Sequence, residues 1–278
     1  MTTLILEEQA PGLIRVTIDN PPINLFDPHL YAALNLLLDR MENDENLRVV
    51  VIDSADSDYF VSHLDVDRLD EVPDIPGAAS LPRTWPTFVR RFASAPVVTI
   101  ASIRGRARGI GSEFALACDM RFASLETARL GQPEVGFGVV PGGGGLDWLP
   151  RIVGRSRALE IVLGADDFDA ATAERYGWIN RAIADDRLDD EVTALAERIA
   201  GFPRHAIASA KRIVDDRSIV PTTDELAQSF SAIGEAIAHP EARRRMASME
   251  SAGWGRATNA ERDHPALLVQ LANGGDAR

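Results

Sequence analysis

Glu113 and Glu134 each follow a glycine-bearing stretch, Gly109-Ile110-Gly111-Ser112 before the first and Gly131-Gln132-Pro133 before the second. Glycines let a ligand approach backbone N–H groups closely, and a carboxyl pair beside them can move protons to and from what is bound. The combination predicts anion stabilisation and acid/base chemistry in one pocket. The two glutamates are too far apart in sequence to share adjacent turns of one helix, and they suit facing walls of a cleft. Exposed glutamates are the ordinary alternative. Against it, Glu113 opens onto the apolar run Phe114-Ala115-Leu116-Ala117, and Glu134 lies within Gly131-Gln132-Pro133-Glu134-Val135-Gly136.

The stretch from Gly105 to Glu113 ends where a helix should begin, and the free N–H groups of a helix N-terminus favour a developing negative charge. It is an oxyanion-hole candidate; a glycine turn that merely packs closely is the competing reading. It is not a dinucleotide fingerprint, because the third glycine is missing and no acidic residue follows a strand at the interval a ribose contact needs.

The surrounding elements are legible from residue pattern. Leu13 to Ile18, Leu47 to Ile52 and Val97 to Ile103 read as strands, and Met120 to Ala123 as a shorter one. A helix should start at Asp27-Pro28 and carry Leu30, Leu34, Leu37, Leu38 and Met41 on one face. Residues 70–86 hold several prolines and read as a loop or lid-like excursion. Gly142 to Gly145 reads as a tight loop. From Arg155 onward, residues 156–163, 170–176, 188–200 and 222–238 look helical. The expected organisation is an α/β core over residues 1–205 followed by a helical C-terminal region over 206–278, with no fixed-period sequence repeat.

The 278-residue chain carries 29 basic and 42 acidic residues, a net charge of −13, which opposes general attraction to nucleic acid or anionic membranes. Cys118 is the only cysteine, so an internal disulfide and a multi-thiolate metal site are excluded, and a reducing cytoplasm fits. Met1 to Glu8 lacks the features of a secretory signal, and no apolar run is long enough for a membrane span.

Asn20-Pro21-Pro22-Ile23-Asn24, Tyr59-Phe60-Val61-Ser62-His63-Leu64-Asp65, the Gly105 to Asp119 stretch, Gly131-Gln132-Pro133-Glu134 and Pro141-Gly142-Gly143-Gly144-Gly145 occur in this order. Together they resemble the enoyl-CoA hydratase/isomerase (crotonase) family over about residues 10–215. The resemblance implies a spiral of ββα units, a helical C-terminal region that helps form homotrimers or dimers of trimers, and an acyl-CoA thioester substrate. It implies no required cofactor, coenzyme A being part of the substrate, and no metal. By the same resemblance, Leu64 and Ile110 supply the backbone N–H groups of the oxyanion hole. Glu113 activates water and Glu134 protonates the α-carbon, while Ser62, His63, Asp65, Gly109, Gly111, Pro133 and Gly142 belong to the substrate-binding set.

His63 and Ile110 stand where many relatives have glycine, so either the acyl pocket narrows or the backbone shifts, and His63 either packs or makes a structural hydrogen bond, or else joins the chemistry. Glycine at 142, with Asp147 further on, argues against the dehalogenase and dienoyl-isomerase branches. Retention of Glu113 makes hydration of a 2-enoyl-CoA the leading reading that the resemblance implies, with double-bond isomerisation and ligand binding without turnover as the alternatives. Arg68, Arg83, Arg106, Arg108 and Arg243-Arg244-Arg245 are the cations available for CoA phosphates, and Trp85, Phe88, Phe137 and Trp148 the aromatics available for an acyl pocket.

Overall fold

Two parallel-rich sheets, their strands linked largely by helices, are built in a computed structural model describing residues 3–69, 71–74, 78, 80–218 and 220–272. Strands β1 (Leu4–Ala10) and β2 (Leu13–Ile18) form a hairpin turned by Gly12 at φ 82°. Helix α1 (Pro28–Asn43) begins as its cap residue predicts: the Asp27 carboxylate accepts the Leu30 N–H at 2.8 Å, and Pro28 occupies the first turn. Its apolar stripe is buried, and it returns the chain to β3 (Val49–Ser54).

The chain then winds through successive ββα units. These are β3 with β4 (Tyr59–Val61) and α2 (Leu81–Ser94), then β5 (Val98–Ile103) with β6 (Arg106–Arg108) and α3 (Ile110–Ala117). The third is β7 (Met120–Ser124) with β8 (Arg129–Gly131) and α4 (Glu134–Phe137). After α5 (Gly145–Val153) and α6 (Arg155–Gly164) come β9 (Asp167–Asp169), α7 (Ala170–Tyr176) and β10 (Arg181–Ile183). The remainder is helical: α8 (Asp185–Ala200), α9 (Arg204–Ser218), α10 (Thr223–Ile237), α11 (Pro240–Ala252), α12 (Asn259–Arg262) and α13 (His264–Ala272).

The first strand of each unit enters a six-stranded sheet ordered β1-β2-β3-β5-β7-β10, and the second enters a four-stranded sheet ordered β4-β6-β8-β9. This is the ββα spiral that the family resemblance implies. One face of the larger sheet packs Val49, Val51, Val98 and Ile100 against Leu188, Val192 and Ala196 of α8. Its other face sends Val50, Ile52, Ala101 and Ile103 into the main core with α1, α2 and α3. Burial on both faces explains why β5 is buried along its whole length, the behaviour of a central parallel strand.

The structure corrects one expectation. Residues 70–86 are not one continuous loop: residues 70, 75–77 and 79 lie outside the described residues, but α2 already begins at Leu81. Pro82 fits the first turn, where no N–H is needed, and Pro86 is tolerated because Leu81, Trp85, Phe88, Val89 and Phe92 form a buried stripe. The edge strand β1 and the short strands β6, β8, β9 and β10 carry too little apolar alternation to be read from sequence; β1 is largely exposed.

Helices after residue 205 pack on this chain's own core. Phe137 and Val139, in and just after α4, are buried with Ala242, Met249, Leu268 and Leu271. Gly111 marks the tightest contact near the site: a Cβ there would lie 2.2 Å from the Val61 carbonyl oxygen. Gly111→Ala is therefore expected to cost about 1–3 kcal/mol by overpacking α3 against β4, read as a lower urea midpoint. An unchanged midpoint would mean that the contact yields freely.

Candidate active site

β4, β6 and β8 are adjacent and parallel, so the residues just after their C-terminal ends fall side by side. Those residues are His63 and Leu64, then Gly109 and Ile110, then Pro133 and Glu134, and all six line one apolar cavity of about 220 Å³. Glu113, one turn into α3, and Gly142 and Gly143 line it as well. Three segments distant in sequence are thus brought together by sheet register.

Peptide geometry sets the direction of the two candidate donors. A trans peptide holds its C=O and N–H opposed. The His63 carbonyl accepts the Phe26 N–H at 2.8 Å, so the Leu64 N–H of the same peptide points the other way. The Gly109 carbonyl accepts the Glu113 N–H at 2.9 Å, which turns the Ile110 N–H out of the first turn of α3. Neither N–H has an acceptor among the described residues. Gly109 is required for this turn, with φ 51° and ψ −125° and the Glu134 carboxyl 2.8 Å from where a Cβ would sit.

Glu113 is 2 % exposed, and its Oε1 accepts the N–H groups of Gly143 and Gly145, each at 2.8 Å. The glycine run is therefore more than a tight loop. It presents the N-terminus of α5 to the carboxylate, and a Cβ at Gly143 would lie 2.3 Å from Glu113 Oε2. Trp85 holds the loop from behind, its indole N–H donating to the Gly143 carbonyl at 3.0 Å. Glu134 receives the side-chain amide of the buried Gln132, at 3.0 and 3.2 Å in the orientation that gives the amide nitrogen an acceptor. Burial pushes Glu113 up to about 7 against the opposing N–H groups of Gly145 and Gly143, and Asp147 adds to the rise. Burial and then the charge of Glu113 raise Glu134 well above the ordinary carboxyl range.

Other expected residues are placed elsewhere. Ser62, Asp65 and Gly111 do not line the cavity: Ser62 is fully buried with its hydroxyl unpartnered, and the Asp65 N–H donates to the Phe26 carbonyl. Of the four aromatics, only Phe137 lines the cavity. Phe88 is core, and Trp148 flanks a different hollow beside Cys118. The walls that sequence did not reveal come from the C-terminal helices and the turn after them: Phe230, Ile233 and Ile237 of α10, Met246 of α11, and Trp254.

None of the arginines offered for phosphate lines the cavity. Arg68 pairs with Asp27 and Glu71, Arg106 lies over the Tyr59 ring, and Arg244 and Arg245 pair with Glu241. Arg108 is wholly buried against Asp167, so it is withdrawn as a phosphate ligand. Among the described residues, no three His, Cys, Asp or Glu side chains gather as metal ligands, and no helix is long and apolar enough to cross a membrane.

A family model described as enoyl-CoA hydratase/isomerase matches residues 8–251. The chain belongs to the enoyl-CoA hydratase/isomerase family. It is 35% identical over 226 residues to a Rhizobium meliloti protein named a probable enoyl-CoA hydratase, covering 80% of this chain and 84% of that one. It is 29% identical over 236 residues to the short-chain-enoyl-CoA hydratase of Clostridium acetobutylicum, covering 84% and 89%. A crystal structure of a Streptomyces avermitilis protein assigned as an enoyl-CoA hydratase superposes with TM-score 0.90 at 40% identity, covering 97% of each chain.

For this enoyl-CoA hydratase/isomerase, the buried Glu113 makes stability depend on pH with a definite sign. A carboxyl whose pKa rises on folding favours the native state below its unfolded pKa, and that contribution disappears as pH rises through the folded value, about 7 for Glu113. Between about pH 5 and about pH 8 the loss amounts to roughly 3 kcal/mol. Glu113→Gln should flatten the fall in unfolding free energy over that interval. Parallel profiles for the two proteins would refute the raised value.

Proposed function

We propose that the protein hydrates a 2-enoyl-CoA thioester. The observation that carries this reading is the convergence of the buried Glu113 carboxyl, the half-buried Glu134 carboxyl and two unpartnered backbone N–H groups on one apolar cavity. With the thioester oxygen at the Leu64 and Ile110 N–H groups, electron density drawn from the double bond collects on that oxygen as an enolate. Ionised Glu113 takes a proton from water as the water oxygen bonds to the β-carbon. Protonated Glu134 delivers its proton to the α-carbon, and the thioester carbonyl re-forms. Each turnover leaves Glu113 protonated and Glu134 ionised, so one proton must return between them before the next.

The electrostatics support this division of labour. Two carboxyl groups in one cavity with a single proton between them hold one base and one acid at neutral pH, and they titrate as a pair. Glu113 is the better base because two N–H groups and a helix N-terminus support its charge, whereas Glu134 has the Gln132 amide.

Glu113→Gln and Glu134→Gln should each lower kcat for hydration by roughly 10²–10⁴-fold with little change in affinity for a saturated acyl-CoA. If Glu113→Gln spares conversion of a 3-enoyl thioester and wild type makes no 3-hydroxyacyl product, the enzyme is an isomerase working through Glu134 alone. If wild type binds acyl-CoA and converts neither substrate, the catalytic reading fails.

A further inference from the structure

Residues one and two positions before the two proposed oxyanion donors are both fastened to one short turn near the end of the chain. His63 adjoins Leu64. Its Nε2 lies 3.0 Å from Glu261 Oε2, its Nδ1 lies 2.9 Å from the Leu64 carbonyl oxygen, and its ring stacks on Trp254 at 4.1 Å. Arg108 stands two residues before Ile110. Its guanidinium donates to the backbone carbonyls of Glu261 and Arg262 at 2.7 and 2.9 Å, and to Asp167 at 2.8 Å. Its Nη1 also lies 3.8 Å from Glu261 Oε1.

Glu261 and Arg108 have no exposure at all, and His63 is 6 % exposed. The turn is itself well fixed: Thr258 caps α12 by accepting the Glu261 N–H at 3.3 Å, and the Gly255 N–H donates to Glu261 Oε2 at 2.9 Å. Burial alone would raise Glu261, but His63, the Gly255 N–H and Arg108 outweigh it and hold the carboxyl below its ordinary range. Burial first, and then Arg108 and His63, keep the neighbouring His264 well below the usual imidazole value.

We propose that Glu261 and His63 are positioning residues: the α12 turn, by holding His63 through its side chain and Arg108 through its backbone, sets the separation and aim of the Leu64 and Ile110 N–H groups. The inference rests on the oxyanion role assigned above to those two donors. Its physical basis is that two donors stabilise one developing charge only when both aim at the same point, and loops keep such aim only when something rigid spans them. The donors follow different strands of the second sheet, Leu64 after β4 and Ile110 after β6, and α12 grips His63 beside the one and Arg108 two residues before the other. Trp254, stacked on His63 and lining the cavity, extends the same fastening to the pocket wall.

The test uses the full chain with Glu261→Gln, which keeps the shape and removes the charge, and His63→Asn as an independent second variant. In ligand-free protein, the Leu64 and Ile110 amide resonances should both move in each folded variant. With an enoyl-CoA bound, the lowering of the thioester carbonyl stretch should shrink, and kcat should fall about tenfold while KM changes less than twofold. Donor amides and carbonyl stretch that stay at wild-type values in either folded variant would overturn the proposal. The amide measurement needs no turnover, so a wild type that fails to hydrate would sink the hydratase assignment while the positioning role is still decided by the resonances.

Discussion

Bringing a buried carboxyl group, Glu113, and a half-buried one, Glu134, into one apolar cavity without supplying a cation to either is the constraint around which this molecule is arranged. Among the described residues no arginine, lysine or histidine pairs with Glu113 or Glu134, so what charge they hold is supported by dipoles. In a low-dielectric cavity two such groups cannot both be ionised at neutral pH. That is a disadvantage for stability and an advantage for moving one proton at a time. The glycine run that feeds α5, the buried Gln132 and the indole of Trp85 are explained as supports for this pair.

The spiral supplies the geometry. Each ββα unit adds one strand to the second sheet, and the register of β4, β6 and β8 aligns the loops that carry Leu64, Ile110 and Glu134. The orientation of both candidate donors follows from carbonyls already committed to Phe26 and Glu113 on the opposite side of each peptide. Helices from the end of the chain and the turn after α11 then close the cavity with Phe230, Ile233, Met246 and Trp254, leaving an apolar space beside the polar groups.

How much of this was legible in the sequence depended on the kind of interaction involved. The cap at Asp27, the stripe of α1 and the buried strands β3 and β5 are local and were readable. That Glu113 and Glu134 share one cavity was legible mainly through the family resemblance, since residue type alone favours exposed glutamates and glycine turns that merely pack. The three-residue strands of the second sheet were not readable, since they are held by neighbours far away in sequence and not by local pattern. Arg108 looked like a free cation because nothing nearby in sequence announces Asp167 or the Glu261 carbonyl as its partners. His63 looked like a substitution at a glycine position, and only the fold reveals that Glu261, nearly two hundred residues later, answers it. The helical prolines of α2 were misread for the same reason: tertiary burial of Trp85, Phe88 and Phe92 outweighs one lost backbone hydrogen bond.

Where a thioester sits is measured most directly by a crystal structure with a non-reacting enoyl-CoA analogue bound. The account predicts the thioester oxygen about 3 Å from both the Leu64 and Ile110 nitrogens, with the β-carbon facing Glu113 and the α-carbon facing Glu134. A thioester oxygen that meets neither nitrogen, or an acyl chain lying outside the cavity between the two carboxyl groups, would contradict it.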